Sequence, residues 1–270
     1  MSESFSVLIS VYFRSPLNHF KECLTSLSSQ SLLPSEIVIV QDGILEYDIF
    51  EILNSYDKLN FKVIKNNKNL GLPKSLNKGL EHCSNDIIFR MDADDICETN
   101  RFKYQLEKFI INDKLVLLGT NVELIDSESK VFNRNREIPI TNNEIRKVII
   151  FKNPFNHPSV VFRKHYVQKV GGYSDLYLYE DWFLWFKLAQ LPDVEFENLP
   201  QKLLKYRIRT FNDRHGFKII KAEYKFYSRL LKAGYINKFQ FLINICLKSV
   251  VRVLPIFLYN FFKYIFDKLK

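Results

Sequence analysis

Residues 86–95 read Asp-Ile-Ile-Phe-Arg-Met-Asp-Ala-Asp-Asp, a short hydrophobic run that ends on three carboxylates within four positions. The run Asp86–Met91 reads as a buried strand. Outward from it, the first 125 residues repeat one unit. Further strands are predicted at Ser6–Val11 (SVLISV), Glu36–Val40 (EIVIV), Asn60–Ile64 and Lys114–Leu118. Helices are predicted at Leu17–Leu27, Tyr47–Ser55, Pro73–His82 and Asn100–Ile111. Strand and helix alternating at this spacing imply a parallel, doubly wound α/β sheet. Such sheets hold ligands beyond the carboxyl ends of their strands. The residues expected to line a site are therefore those just past each strand: Tyr12, Asp42, and Asp92 with Asp94 and Asp95.

Three carboxylates packed as Asp92-Ala93-Asp94-Asp95 repel one another unless a cation lies between them. Hard oxygen donors without a neighbouring Cys or His suit Mg²⁺ or Mn²⁺, which complete their shell with water and substrate phosphates. The plainer use is a helix cap, Asp94 or Asp95 capping the helix near Asn100, although one Asp would suffice for that. Asp42, in Val-Gln-Asp-Gly, has two equal readings. It can accept from a base imide or a ribose hydroxyl, or it is a turn residue chosen for its backbone. In Asn69–Asn77 (NLGLPKSLN), Pro73 suits a first helical turn and a helix N-terminus attracts an anion. Lys74 is then a phosphate contact or simply an exposed lysine, and the Gly-Lys-Ser/Thr ending of a P-loop is absent. Tyr179-Glu180-Asp181-Trp182 puts a carboxylate among Trp182, Phe183 and Trp185. Desolvation there would raise its pKa and suit a general base; the bland alternative is a helix start followed by a core face.

Downstream, residues 125–146 read as polar loop, Asn156–Phe162 as a strand, Leu176–Gln190 as partly helical and Leu203–Ile208 as a short strand. Residues 216–270 read as helical and basic. The chain of 270 residues is 47% hydrophobic and 26% charged, which excludes wholesale disorder, and its 24 Phe and 14 Tyr suggest an aromatic surface or core. Its net charge of +9 is uneven: residues 200–270 carry 16 Lys and Arg against three acids, leaving −4 on the first 199. A basic C-terminal third points to an anionic partner, nucleic acid or anionic lipid. Lys218, Lys221, Lys225, Arg229 and Lys232 form one helical stripe. Phe241–Phe266 mixes apolar residues with Lys248, Arg252 and Lys263, and Pro255 interrupts it. Only ten uncharged residues separate Arg252 from Lys263, too few to span a bilayer, so the segment reads as interfacial or as a helical cap. Cys23, Cys83, Cys97 and Cys246 are widely spaced, as for reduced thiols in a cytosolic protein, and Met1–Ser6 shows no secretory signal.

Taken in order, SVLISVYFR, IVIVQDG, NLGLPKSLNKGL, IIFRMDADD, YEDWFLWFKL and LLKYR resemble the family-2 glycosyltransferases, inverting enzymes with the GT-A fold, over roughly residues 5–210. The stretch from Tyr206 through RVLPIFLYNFFKY is similar to a bacterial subgroup that builds capsule, exopolysaccharide and O-antigen repeats. The resemblance implies a doubly wound mixed sheet at 1–212, with a nucleotide-sugar half to about 125, an acceptor half after it, and a basic aromatic helical appendage at 213–270. It implies that Tyr12 and Asp42 contact the nucleobase. Asp92 contacts ribose and metal, and Asp94 is the metal ligand of Asp-x-Asp. Asp181, the second acid of the Glu180–Asp181 pair, is the base, and Lys74 and Arg207 join the nucleotide-sugar site. Two positions depart from the family pattern: Ser10 stands where many members have Pro, and Arg209 where many have a His two residues after the Tyr206-Arg207 pair, which puts an extra protein metal ligand in doubt. The implied activity is Mn²⁺- or Mg²⁺-assisted transfer of galactose or glucose from a UDP-sugar to a polyprenyl (undecaprenyl) diphosphate-linked saccharide. The implied place is the cytoplasmic face of the bacterial inner membrane, peripherally bound to its anionic surface. Two other classes compete. A nucleic-acid binder would have no need of Asp-x-Asp-Asp, which repels phosphate without a metal. An inactive binding subunit would be expected to lose Asp94 or Asp181, and both are present.

Overall fold

A computed structural model describes residues 4–132, 138–208 and 217–253. The chain divides into two compact units, Met1–Asp175 with Glu180–Arg209, and Leu176–Tyr179 with Thr210–Lys270. In the first unit, β1 (Phe5–Tyr12), β2 (Glu36–Asp42), β3 (Phe61–Asn66) and β4 (Ile87–Asp92) alternate with α1 (Leu17–Ser28), α2 (Ile49–Leu53) and α3 (Leu72–His82). There follow β5 (Ile96–Cys97), α4 (Arg101–Ile111), β6 (Leu115–Ile125), α5 (Asn142–Val148), β7 (Val161–Arg163), α6 (Lys164–Lys169), α7 (Glu180–Ala189) and β8 (Glu195–Arg207).

The strands form one sheet in the order β3-β2-β1-β4-β7-β6-β8-β5. The parallel sheet expected from the first 125 residues holds for β3, β2, β1 and β4. Beyond β4 the sheet is mixed. Strand β7 runs antiparallel to β4 and β6, β8 parallel to β6, and β5 antiparallel to β8.

Side chains alternate across the sheet. Val7, Ile9, Val11, Ile37, Ile39, Phe89 and Met91 join Phe20, Leu24, Phe102 and Leu106 in one core. The intervening residues, among them Leu8, Tyr12, Asp42, Arg90 and Asp92, occupy the opposite face. Helix α3 lies against that face so closely that a Cβ on Gly79 would come within 2.3 Å of Leu8 Cδ1 and 2.9 Å of Val40 Cγ2. That face therefore carries the polar residues at the strand ends.

Three expectations are corrected. The strand expected at Asn156–Phe162 is a 3₁₀ turn at His157–Ser159 followed by the three-residue β7, because Pro158 cannot donate to a ladder. The loop expected at 125–146 contains the start of α5. Thr141 and Glu144 form a reciprocal capping box there, a signal present in Thr-Asn-Asn-Glu. The short strand at Leu203–Ile208 is the end of the 13-residue β8. Its pairing with β6 shifts register beside Leu199 and Lys202, flanking Pro200, so hydrophobic alternation is broken in the sequence though pairing continues.

In the second unit, α8 (Phe217–Lys232) and α9 (Lys238–Val253) are joined through a turn with Gly234 at φ 73°. Ile219, Glu223, Phe226, Tyr227 and Leu230 are buried. Glu223 Oε1 accepts from Arg252 Nη2 (2.9 Å) and from Tyr179 Oη (3.0 Å), and Tyr227 Oη donates to Asn244 Oδ1 (3.1 Å). Arg252 and Lys248 were expected among the outward cations of the tail. Arg252 instead pairs with Glu223, and Lys248 lies 5.9 Å from the Tyr227 ring centre, its pKa lowered first by burial. Helix α9 exposes Phe239, Leu242 and Leu247, with Lys238 exposed at its start. The cations face outward on α8, at Lys218, Lys221, Lys225 and Lys232. Pro255, Lys263, Lys268 and Lys270 lie outside the described residues, as does Arg209.

Candidate active site

Strand register aligns the expected residues. Tyr12 pairs with Asp42 and Asp42 with Asn66, while Ser10 pairs with Asp92, so Tyr12, Asp42 and Asp92 end adjacent parallel strands at one edge. Tyr12 is half-buried, its backbone locked by Ser15, whose N–H donates to Tyr12 O and whose Oγ accepts from Tyr12 N.

Asp42 is drawn inward. Its Oδ1 accepts from Asn66 Nδ2 (2.9 Å) and Leu70 N (2.8 Å), and its Oδ2 from Gly71 N (3.0 Å). Gly43 follows at φ 92°, where an added Cβ would meet Asn69 N at 2.9 Å. This is the turn reading of Asp-Gly: the turn needs glycine, and the carboxylate clamps the loop that leads into α3. Lys74, in the first turn of α3, is exposed and 3.6 Å from Asp175, a surface pair that is readily given up.

The acidic run is a turn between β4 and β5 and caps no helix. Helix α4 starts later, with Asn100 at its N-cap, because Ile96–Cys97 first pairs with β8. Asp92 and Asp94 are half-buried. Asp95 is fully buried; its Oδ1 accepts from Arg207 N (2.8 Å), and Oδ2 has no hydrogen-bond partner among the described residues. Burial, then the charges of Asp92 and Asp94, push the Asp95 carboxyl well above the usual range. An orphaned carboxylate oxygen in an all-oxygen cluster of like charges is the environment a hard divalent cation relieves, so the residues fit such an ion. Among the described residues no three His, Cys, Asp or Glu side chains form a ready cage. The rest of a metal's shell would thus come from water and ligand.

Arg207, expected at the nucleotide sugar, lies against the acidic turn, donating from Nε to Asp94 O (2.8 Å), from Nη1 to Asp126 O (2.6 Å) and from Nη2 to Glu22 Oε2 (2.5 Å). With its side chain 2% exposed and every guanidinium nitrogen engaged, it supports the turn.

Helix α7 opens with Glu180 and Asp181, both buried, followed by Trp182, Phe183, Leu184, Trp185 and Phe186, also buried. Asp181 Oδ2 accepts from Asn153 Nδ2 (2.6 Å) and Oδ1 from Trp182 N (2.7 Å). Burial raises Glu180 to about 8, with Asp181 the next cause and Asp92 a smaller one. The charge of Asp92 thus adds to the upward shift at the start of α7.

Sequence reasoning missed three residues here. Asn153 orients Asp181. His157, whose Nε2 lies 3.1 Å from Tyr173 Oη, is held neutral by burial and then by the charge of Arg90. Arg90 is buried under Asp92, to which its Nη2 donates. Its signal was visible as one arginine inside an otherwise hydrophobic strand.

Comparison with known proteins bears on the family and the fold. The family model "Glycosyl transferase family 2" matches residues 6–171. The amylovoran biosynthesis glycosyltransferase AmsE of Erwinia amylovora is 34% identical over 255 residues, 93% of this chain and 95% of that protein. The UDP-Gal:alpha-D-GlcNAc-diphosphoundecaprenol beta-1,3-galactosyltransferase of Escherichia coli is 35% identical over 271 residues, covering 98% and 95%. The S. aureus TarS 1–349 structure in complex with UDP-GlcNAc superimposes with a TM-score of 0.66 at 17% identity, over 84% of this chain and 66% of that one, which establishes the GT-A fold. With a mixed sheet of that architecture, an acidic turn after its fourth strand and close relatives over nearly its whole length, the chain is a glycosyltransferase and belongs to glycosyl transferase family 2.

Proposed function

We propose that the protein transfers a hexose, galactose or glucose, from a UDP-sugar to a hydroxyl of a polyprenyl-diphosphate-linked saccharide during bacterial surface polysaccharide synthesis, with inversion at the anomeric carbon. The observation that supports the reading is the acidic turn Asp92–Asp95 at the strand ends, with the Asp95 Oδ2 orphaned, alongside the Glu180–Asp181 pair buried at the start of α7. The relative named as a galactosyltransferase acting on an undecaprenol-linked GlcNAc supports galactose and a lipid-linked acceptor.

Tyr12 flanks the nucleobase, and Asp42 shapes its pocket by holding the loop at Leu70 and Gly71. Lys74, released from Asp175, meets a phosphate at the start of α3. Asp94 and Asp92 hold the divalent ion, Mn²⁺ or Mg²⁺, and Arg207 keeps their turn rigid from behind. When bound, the ion neutralises the charge that develops on the departing diphosphate. Asp181, fixed by Asn153, takes the proton of the acceptor hydroxyl as its oxygen attacks the anomeric carbon from the side opposite the diphosphate. One displacement turns an α-linked donor into a β-linked product.

Among the described residues no helix is long and apolar enough to cross a membrane. We propose that the second unit lies on the anionic cytoplasmic leaflet, its α8 lysines at the headgroups and the apolar α9 face below them. The deciding experiment is a panel of nucleotide sugars tested for metal-dependent transfer onto a synthetic lipid-diphosphate GlcNAc. Turnover with a UDP-hexose supports the reading; none with any donor, or full turnover in chelator, rejects it.

A further inference from the structure

Strand β4 is hydrophobic at Ile87, Ile88, Phe89 and Met91 and carries one cation, Arg90, which is 1% exposed, ahead of the terminal Asp92. Its backbone is fully used, with N donating to Val160 O (2.9 Å) and O accepting from Arg101 Nη2 (2.8 Å). Its side chain shares the face of Asp92, two positions on, and Nη2 donates to Asp92 Oδ1 at 2.5 Å. The other two guanidinium nitrogens, Nε and Nη1, are buried with no hydrogen-bond partner among the described residues.

This arrangement costs stability. Removing a guanidinium from water costs several kcal/mol, and bare charged donors add to that. An aliphatic residue would suit the strand better, so the fold alone gives no reason for the charge. Asp92 gives one. It ends a turn crowded by Asp94 and Asp95, and repulsion would swing a short carboxylate away from its neighbours. Residues two apart on a strand are about 7 Å from one another, a gap that a long side chain closes onto a short one. A buried guanidinium keeps its charge, and Nη2 reaches the Asp92 carboxylate from two residues back along the strand.

We infer that Arg90 is a positioning residue for the donor: anchored in the core, it fixes the Asp92 carboxylate where the nucleotide diphosphate and its metal meet it. Its charge also acts on Tyr173, Asp95 and Glu180. The inference rests on the donor reading above and adds a residue to it.

The test is a mutant cycle read by calorimetric binding of UDP in Mn²⁺, with thermal unfolding as a check on folding. Arg90→Gln should weaken binding about tenfold or more, as should Asp92→Asn. The double variant should bind no more weakly than Asp92→Asn alone, because Arg90 acts through Asp92. Unchanged binding by Arg90→Gln, or a loss that adds in full to that of Asp92→Asn, overturns the assignment of Arg90. Failure of the unaltered protein to bind UDP in a metal-dependent way removes the donor reading as a whole, a different result. If Arg90→Gln does not fold, Arg90→Lys keeps the charge and loses the guanidinium Nη2 that reaches Asp92, and the same cycle applies to it.

Discussion

Asp181 differs from its neighbour in being held at both oxygens, by Asn153 and by the Trp182 amide, while Glu180 is pushed up to about 8 by burial and by Asp181 itself. An oriented carboxylate is the better base, because geometry precedes basicity in proton transfer. Asp181→Asn should therefore lower turnover by roughly 10²-fold or more, the usual range for removing a general base, with UDP affinity unchanged. A near-normal rate would shift the role to Glu180. Asp94→Ala should abolish transfer and metal-dependent UDP binding while the fold persists, as read by circular dichroism. Retained binding in Mn²⁺ would remove Asp94 from the metal. Asp92, Asp94, Glu180 and Asp181 were legible as residues because carboxylates beside a hydrophobic strand or among tryptophans are conspicuous. Asn153 was not, since nothing local separates an orienting amide from a loop asparagine.

At the scale of elements, α8 and α9 divide two tasks that the sequence assigned to both. The lysines of α8 face outward, whereas Arg252 of α9 turns inward to the buried Glu223. Each cation near an anionic leaflet contributes about 1 kcal/mol. The intact protein should sediment with anionic vesicles at low salt and be partly released at high salt. Lys218→Glu, Lys221→Glu and Lys225→Glu together should abolish sedimentation. If the intact protein ignores the vesicles, these helices serve only as a cap. Arg252→Ala should act differently, destabilising the hairpin by up to roughly 3 kcal/mol because buried Glu223 loses its ion-pair partner and keeps the Tyr179 hydroxyl. Unfolding monitored by α8–α9 hydrogen exchange would reveal that loss.

For the whole molecule, the raised Glu180 links folding to pH. Its ordinary value is 4.5 and its folded value about 8, so between them the folded protein keeps a proton that the unfolded chain has released. Its contribution is fully present below 4.5 and lost as the pH rises through about 8. Asp95 is shifted in the same direction. The melting temperature of metal-free protein should fall as pH rises from about 5 to 8, and Glu180→Gln should flatten that slope. An identical slope in the variant would show that Glu180 does not carry it.

Local chemistry decided much in advance. The β-branched runs and intervening helical patterns led to the parallel core β3-β2-β1-β4, and the Asp-x-Asp-Asp turn marked its site, because strand period and charge repulsion act within a few residues. The mixed half of the sheet was decided only in three dimensions. There β7 is three residues long and β8 crosses Pro200, and such strands persist through pairing with distant neighbours. The same holds for where side chains spend their hydrogen bonds. Arg207, Lys248 and Arg252 look alike as cations in a sequence, yet the two arginines pair with acids on other elements, Glu22 and Glu223, and Lys248 packs over a ring. Burying a charge is tolerable only beside its partner, and the partner lies on another element that the fold alone brings near.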